Sequence, residues 1–239
     1  MEMSEMKNGT MTIGMISAMM AGASGLATAG TVVSTYDDVA EGFQGASWTY
    51  NGITYSNVNN RDGVYADGSP FASGDNGDQL IIEDATLLYN DFPTWGSANK
   101  ALTFGTTFIP GSNLSIGALV TVDMDLGGVS NSTSMEIAFY ENGPWIGIEY
   151  HLDAYRNGAL VGGDVLTIAG TDPNARDNIA FDTLSVDGAE FDSLVFYATL
   201  NGEYTAPRAL VDNLSVNYIP APGALAVLGL GGLVARRRR

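Results

Sequence analysis

The sequence predicts an all-β protein, a β-sandwich of the jelly-roll kind, between two targeting segments. Apolar and polar residues alternate over short stretches, which is the period of a strand. Gly, Asn and Asp separate these stretches as turn residues do, and no segment has the period of a long amphipathic helix. Residues 30–219 are enough chain to bury one substantial core, and more than the smallest sandwiches need.

The clearest hairpin lies near the start of this domain. Trp48–Tyr50 and Ile53–Tyr55 flank Asn51-Gly52, a dipeptide typical of a two-residue turn. Further strands are predicted at Leu80–Tyr89, Lys100–Phe104, Leu114–Leu126, Met135–Tyr140, Trp145–Tyr155, Val165–Ala169, Ile179–Val186, Leu194–Leu200 and Ala209–Tyr218.

Aromatic residues are the first candidates for a ligand platform. In the hairpin, Trp48, Tyr50 and Tyr55 share one face, which could stack on sugar rings or belong to the core. Trp95 follows a proline in a predicted loop, where exposed binding residues are common. Trp95 and Trp48 are therefore the candidate glycan-binding residues.

The C-terminal segment, residues 220–239, differs in composition from the rest. It has a proline motif, an apolar run and a basic end: Pro220, Ala221, Pro222, Gly223–Ala235, Arg236, Arg237, Arg238 and Arg239. The prolines end the preceding structure because they lack an amide donor. The apolar run gives about 20 Å of helix against a hydrocarbon core of about 30 Å, so it is a marginal membrane span. The arginines predict a cytoplasmic C-terminus.

This order of parts resembles the PEP-CTERM sorting tail of exported bacterial proteins. The resemblance implies recognition by an exosortase, a membrane transpeptidase, and delivery to the cell envelope or the extracellular matrix. It also implies a transient membrane anchor. Ala221 stands where the family usually has Glu, which leaves cleavage of the tail open. An ordinary tail anchor is the alternative.

The N-terminal segment, residues 1–29, reads as a signal peptide. Lys7 supplies a positive start, Met11–Leu26 is an apolar run of small residues, and Ala27-Thr28-Ala29 is a cleavage pattern. Cleavage after Ala29 would begin the mature protein at Gly30. Translation could also start at Met6.

Charge and composition limit the function of the domain. The whole chain carries a net charge of −17, and residues 30–219 hold 25 acidic and five basic residues. Such a surface repels nucleic acid and anionic lipid and attracts divalent cations. The chain has no cysteine and one histidine, which excludes thiol catalysis and zinc fingers.

The two ends of the domain suggest a calcium site. Asp37 and Asp38 lie near the mature N-terminus, and Asp212 lies in the last predicted strand. These segments are similar to those that bracket carbohydrate-binding jelly rolls. The resemblance implies that the first and last strands pair and that a structural Ca²⁺ sits between their carboxylates. Simple turn and cap residues are the alternative.

A second cluster follows from strand register. If Glu141–Pro144 is a hairpin loop, Glu136 faces Glu149 on the neighbouring strand. Opposed carboxylates about 5 Å apart are the catalytic pair of retaining glycoside hydrolases. Glu136 and Glu149 are therefore the candidate catalytic residues.

The same register places a histidine among carboxylates. A two-residue turn at Asn157-Gly158 would put Asp164 opposite His151, on the face that also carries Glu149 and Asp153. These four side chains could bind a metal or a glycan, or could form a plain polar face.

The sequence thus predicts an exported envelope or matrix protein that binds polysaccharide, with Ca²⁺ as a possible cofactor. A glycoside hydrolase or lyase acting on extracellular polysaccharide is the alternative, and a purely structural matrix component is a third interpretation. No nucleic-acid partner is expected, and the absence of a recognisable catalytic motif favours binding or a structural role over catalysis.

Overall fold

The structure is a computed structural model that describes residues 30–56, 61–73, 80–84, 100–108, 115–170 and 179–219. The predicted signal peptide, Trp95 and the predicted sorting tail lie outside the described residues. Within the described ranges, no helix is long and apolar enough to cross a membrane.

The described chain consists of strands and one short 3-10 helix, which confirms the all-β prediction. The strands are β1 (Gly30–Ser34), β2 (Gly42–Gly45), β3 (Ser47–Tyr50), β4 (Ile53–Ser56), β5 (Gly63–Val64), β6 (Pro70–Phe71), β7 (Leu80–Asp84), β8 (Lys100–Phe108), β9 (Ser115–Ala118), β10 (Thr121–Tyr140), β11 (Ile148–Arg156), β12 (Ala159–Thr167), β13 (Ile179–Leu200), β14 (Glu203–Thr205) and β15 (Arg208–Tyr218). The 3-10 helix, Gly143–Trp145, lies between β10 and β11.

The two longest strands, β10 and β13, run through both layers of a sandwich. They pair antiparallel from Thr121 opposite Tyr197 to Tyr140 opposite Ile179, with register shifts between residues 125 and 132 of β10. The first sheet has the order β2-β7-β8-β15-β10-β13 and uses the C-terminal half of β10 and the N-terminal half of β13. The second sheet uses the other halves, in the order β3-β4-β10-β13-β11-β12.

One hydrophobic core lies between the two sheets. Phe104 of the first sheet meets Phe196 of the second edge to face, with ring centroids 4.5 Å apart. Tyr150 lies parallel to Phe196, and all three rings are almost completely buried. Aromatic pairs in these geometries add about 0.5–1.5 kcal/mol to the stabilisation from burial alone. The sheets are therefore held face to face by large interlocking side chains.

The predicted hairpin is confirmed. Trp48 pairs with Tyr55 across β3 and β4, and the turn residues Asn51 and Gly52 have φ values of 51° and 81°. Two consecutive positive φ values define the two-residue turn that matches strand twist. Tyr55 is fully buried, and Trp48 is half-buried and stacks on it with centroids 5.4 Å apart. The hairpin aromatics therefore pack against the core.

The predicted pairing of β10 with β11 is wrong. The C-terminal half of β10 lies in the first sheet, where Glu136 is opposite Asp212 on β15 and Thr183 on β13. β11 lies in the second sheet, where Glu149 is opposite Thr199 and Thr167. The segment between them crosses from one sheet to the other through the 3-10 helix, so no hairpin forms there.

The predicted turn at Asn157-Gly158 is confirmed, but the register beyond it is shifted. Arg156 pairs with Ala159, and a bulge opposite Ala154 then moves the pairing by one residue. Asp164 consequently lies opposite Leu152, on the other face of the sheet from His151. A shift of one residue moves every later side chain to the opposite face.

The first and last strands pair, as the jelly-roll resemblance implied. β1 runs antiparallel to β15 from Gly30 opposite Tyr218 to Ser34 opposite Leu214. β1 and β8 pair with the same edge of β15, β8 at residues 208–211 and β1 at residues 214–218. The N-terminal end of the described chain is therefore part of the first sheet.

Phe104→Ala should lower the free energy of unfolding by about 3–5 kcal/mol, because it leaves a cavity between the sheets at a fully buried ring. Urea denaturation measures the change. The matched control is Phe43→Ala on β2, where the ring is 52% exposed and the expected loss is about 0.5 kcal/mol or less. Equal losses for the two variants would contradict the assigned core.

Candidate functional site

The outer face of the second sheet carries the main group of polar and aromatic side chains. Strand register sets them in rows across β10, β13 and β11. The rows are Thr121, Tyr197 and His151; Asp123, Val195 and Asp153; and Asp125, Ser193 and Tyr155. The alternate residues of β13, such as Leu194 and Phe196, are buried in the core. Core packing therefore fixes which side chains point outwards.

Tyr197 is at the centre of this face. Its ring lies parallel to the His151 ring with centroids 4.6 Å apart, and its hydroxyl donates to Asp153 Oδ2 at 3.0 Å. The pKa of Tyr197 is raised far above its usual value. Partial burial is the larger cause, and the hydrogen bond to Asp153 is the second. Tyr197 is thus a neutral ring with a fixed hydroxyl.

Asp153 connects two tyrosines. Its Oδ2 accepts from Tyr197 and, at 3.5 Å, from the Tyr155 hydroxyl. On the neighbouring strand, a Cβ on Gly163 would lie 2.7 Å from Asp153 Oδ1, closer than real Cβ atoms come. Gly163 therefore leaves the space that the Asp153 carboxylate occupies.

His151 belongs to a polar chain on the same face. Its Nε2 lies 2.9 Å from Thr199 Oγ1, and the Thr199 hydroxyl donates to Glu149 Oε2 at 3.4 Å. Because the Thr199 hydroxyl donates its proton to the bond with Glu149, its oxygen accepts from the His151 Nε2–H. Burial lowers the pKa of His151 below 6.5, while Glu149 and Asp153 act in the opposite direction.

An open groove of about 460 Å³ lies along this face. Tyr155, Tyr197 and Tyr204 line it together with Asp123 and Arg61. Tyr204 comes from β14, where it pairs with Thr199, and its ring centroid lies 5.5 Å from that of Tyr197. The Arg61 guanidinium stands over the Tyr204 ring, 5.2 Å from its centroid. Burial raises the pKa of Asp123, and Arg61 opposes this shift.

The predicted four-residue cluster is only partly assembled. Glu149, His151 and Asp153 share the outer face of the second sheet. Asp164 lies on the other face, where its Oδ2 accepts from the Ser185 backbone N–H at 2.8 Å. That bond satisfies an amide of β13, so Asp164 has a structural role.

The predicted catalytic pair is separated between the sheets. Glu136 lies in the first sheet, where its Oε2 accepts from the Asn213 side-chain amide at 3.0 Å. Glu149 lies on the outer face of the second sheet beside His151, with 3.6 Å between Oε2 and Nε2. The two carboxylates are not on adjacent strands, which was the basis for proposing them as an acid and a nucleophile.

The acidic residues at the domain ends have partners within the protein. Asp38 Oδ1 accepts from the Tyr50 hydroxyl at 2.6 Å. Asp212 is buried at a bulge of β15, and the next residue, Asn213, has a φ of 48°. Across the described ranges, no three His, Cys, Asp or Glu side chains are close enough together to hold a metal ion. Calcium binding by Asp37, Asp38 and Asp212 stays a prediction.

Sequence reasoning did not identify Tyr197, Tyr204 or Arg61 as site residues. Tyr197 had a usable signal, since Val195, Tyr197 and Thr199 alternate with three apolar residues in a predicted strand. Tyr204 and Arg61 gave no such signal, because their positions depend on short strands far apart in the sequence. The groove is therefore a product of tertiary structure.

Comparisons with known proteins give structural likenesses alone. No family model and no curated protein matches the chain. The K2 cleaved adhesin domain of Lys-gingipain is 11% identical, with a TM-score of 0.43, over 79% of this chain and 99% of that domain. A carbohydrate-binding module specific for non-crystalline cellulose, CBM28, is 15% identical, with a TM-score of 0.35, over 79% of this chain and 94% of that module.

A third likeness is to the xylan-binding domain CBM22-1 of Paenibacillus barcinonensis Xyn10C. It is 9% identical, with a TM-score of 0.33, over 81% of this chain and 97% of that domain. These identities and TM-scores are too low to transfer a ligand or an activity to this chain.

The pKa of His151 should lie below 6.5, because partial burial opposes its charged form. Between that pKa and 6.5 the unfolded state binds more protons, so stability should fall as the pH drops through this window. An NMR titration is direct, since the chain has a single histidine. Glu149→Gln should lower the pKa further, and Glu190→Gln, at an exposed site, should leave it unchanged. A His151 pKa of 6.5 or above would contradict the assigned environment.

Proposed function

We propose that the protein binds a neutral polysaccharide in the groove on the outer face of the second sheet. The observation that supports this best is the set of three tyrosines there, Tyr155, Tyr197 and Tyr204. The carboxylates of Asp123 and Asp125 line the same groove. Sugar rings have apolar C–H faces that pack on aromatic rings, and their hydroxyls donate to carboxylates. The groove offers both kinds of contact side by side.

The rigidity of the groove favours binding. Tyr197 is held by ring stacking on His151 and by its bond to Asp153, and Tyr155 also donates to Asp153. Side chains that are already ordered lose less conformational entropy when a ligand binds. A flat glycan chain therefore meets a surface that does not have to rearrange.

The charge of the protein favours a neutral ligand. Residues 30–219 carry five basic residues against 25 acidic ones, and Asp123 and Asp125 line the groove. An anionic polysaccharide would be repelled both by the whole surface and by the site. Uncharged sugars avoid this cost and use the carboxylates as hydrogen-bond acceptors.

Tyr155→Ala should weaken binding to a neutral polysaccharide about tenfold or more. It removes a ring from the groove, and it removes the hydroxyl that donates to the Asp153 carboxylate. Affinity electrophoresis against soluble glucan, xylan, mannan and, as an anionic comparison, alginate measures the change. The control is Phe43→Ala, which removes an exposed ring from the first sheet. Equal binding by both variants would contradict the proposal, and so would preferential binding to alginate.

The same screen tests the calcium prediction if it is repeated with Ca²⁺ and with chelator. Binding that is lost in chelator supports a structural Ca²⁺ that involves Asp37, Asp38 or Asp212. Unchanged binding and an unchanged melting temperature contradict the calcium prediction and leave the groove unaffected.

We also propose that the protein is exported as a jelly-roll domain and processed through its PEP-CTERM-like tail by an exosortase. The support is the sequence alone: the A-x-A pattern ending at Ala29, and the proline, apolar and arginine parts of residues 220–239. Such a route would place the groove outside the cell, where polysaccharide is available.

Export predicts a mature chain that begins at Gly30 and has lost its C-terminal segment. Intact mass spectrometry of protein from the envelope and the medium of the bacterial host measures both ends. Replacing Arg236–Arg239 by alanine should impair sorting. Envelope protein that retains residues 1–29 would contradict the signal peptide, and one that retains residues 220–239 would contradict cleavage.

A further inference from the structure

A second cleft, of about 630 Å³, lies next to the groove. Val64 of β5, Phe71 of β6, Ala72, Glu203 and Tyr204 are among its lining residues. Ligand sites for small molecules have volumes of roughly 300–1,000 Å³. The groove and the second cleft are thus each large enough for a separate short oligosaccharide.

The two cavities share one side chain. Tyr204 lines both the groove and the second cleft. Arg61, whose guanidinium covers the Tyr204 ring, lines the groove, and the next residue, Asp62, lines the second cleft. The boundary between the cavities is therefore one half-buried ring with a cation on its face.

Hydrogen-bonded strands connect the two cavities directly. β14 pairs with β13 through Tyr204 opposite Thr199, and it pairs with β5 through Thr205 opposite Val64. A Cβ on Gly63 would lie 2.2 Å from the Tyr204 carbonyl oxygen and 2.5 Å from the Phe71 ring. Glycine is thus required for β5 and β6 to lie this close to β14.

We infer that the groove and the second cleft bind one continuous stretch of a linear neutral polysaccharide, so that the protein recognises the interior of a chain and not its end. The chain would cross at Tyr204, where the Arg61 guanidinium that covers the ring offers hydrogen-bond donors to sugar hydroxyls. This inference rests on the proposed function and adds the length and the position of the glycan segment that is bound.

Isothermal titration with β-1,4-linked gluco-, xylo-, manno- and N-acetylgluco-oligosaccharides of about two to six units tests the inference. For the series that binds, affinity should rise at least about tenfold from the shortest to the longest member. A bulky label on the reducing end of the longest member should leave its affinity unchanged, because an interior segment is bound.

A variant in which the second cleft is blocked tests the contributions of the two cavities separately. Ala72 is exposed and lines the second cleft, so Ala72→Trp should reduce the affinity for long oligosaccharides to that for short ones. Binding of the shortest member should not change. The matched control is Ala40→Trp, at an exposed position between β1 and β2 that lines neither cavity.

The outcomes distinguish this inference from the proposed function. Full affinity for the shortest oligosaccharide, loss of binding on end-labelling, or no effect of Ala72→Trp would overturn the interior-chain inference while leaving the groove as a glycan site. No binding of any oligosaccharide or neutral polysaccharide would overturn the proposed function, and this inference with it.

Discussion

The pairing of β10 with β13 is the constraint on which the rest of the structure depends. Both strands belong to both sheets, so their register sets the position of every neighbouring strand. Glycines lie where the strands change sheets: Gly127 has a φ of 62° and Gly188 a φ of 95°. Other residues rarely adopt these values, and bulges at such positions let a strand bend. The sandwich is therefore built from two bent strands and the elements that pair with them.

The groove follows from the same pairing. In the C-terminal half of β13, Leu194 and Phe196 point into the core, which forces Val195 and Tyr197 onto the outer face. A register slip of one residue would bury Tyr197 and expose Phe196, at a cost of several buried aromatic contacts. The core packing that holds the sheets together therefore also sets which side chains line the groove. Beside it, Gly163 leaves room for the Asp153 carboxylate, and the His151 ring stacks on Tyr197.

Local sequence signals predicted local structure well. Asn51-Gly52 and Asn157-Gly158 form the turns that their dipeptides indicate, and both have positive φ at each position. The alternation around His151 correctly placed Glu149 and Asp153 on the same face. Register shifts also occur next to the two Gly-Gly pairs, Gly127-Gly128 and Gly162-Gly163, as expected where glycine interrupts a strand.

Non-local structure could not be predicted in the same way. The prediction that Glu136 faces Glu149 required consecutive strands to be neighbours in one sheet. In the structure, β10 ends in one sheet and β11 begins in the other. The bulge opposite Ala154 moved Asp164 to the opposite face, and no local signal fixes which residue a bulge adds. Tyr204 reaches the groove through a three-residue strand, β14, which is too short to show a period.

We propose that the outer face of the second sheet binds glycan. The most direct test is a map of backbone amide chemical shifts in an isotope-labelled protein, titrated with the longest neutral oligosaccharide that binds. We expect the largest changes at Tyr155, Tyr197 and Tyr204 and at their neighbours in β11, β13 and β14. Changes confined to the first sheet, around Phe43 and Phe181, would contradict it.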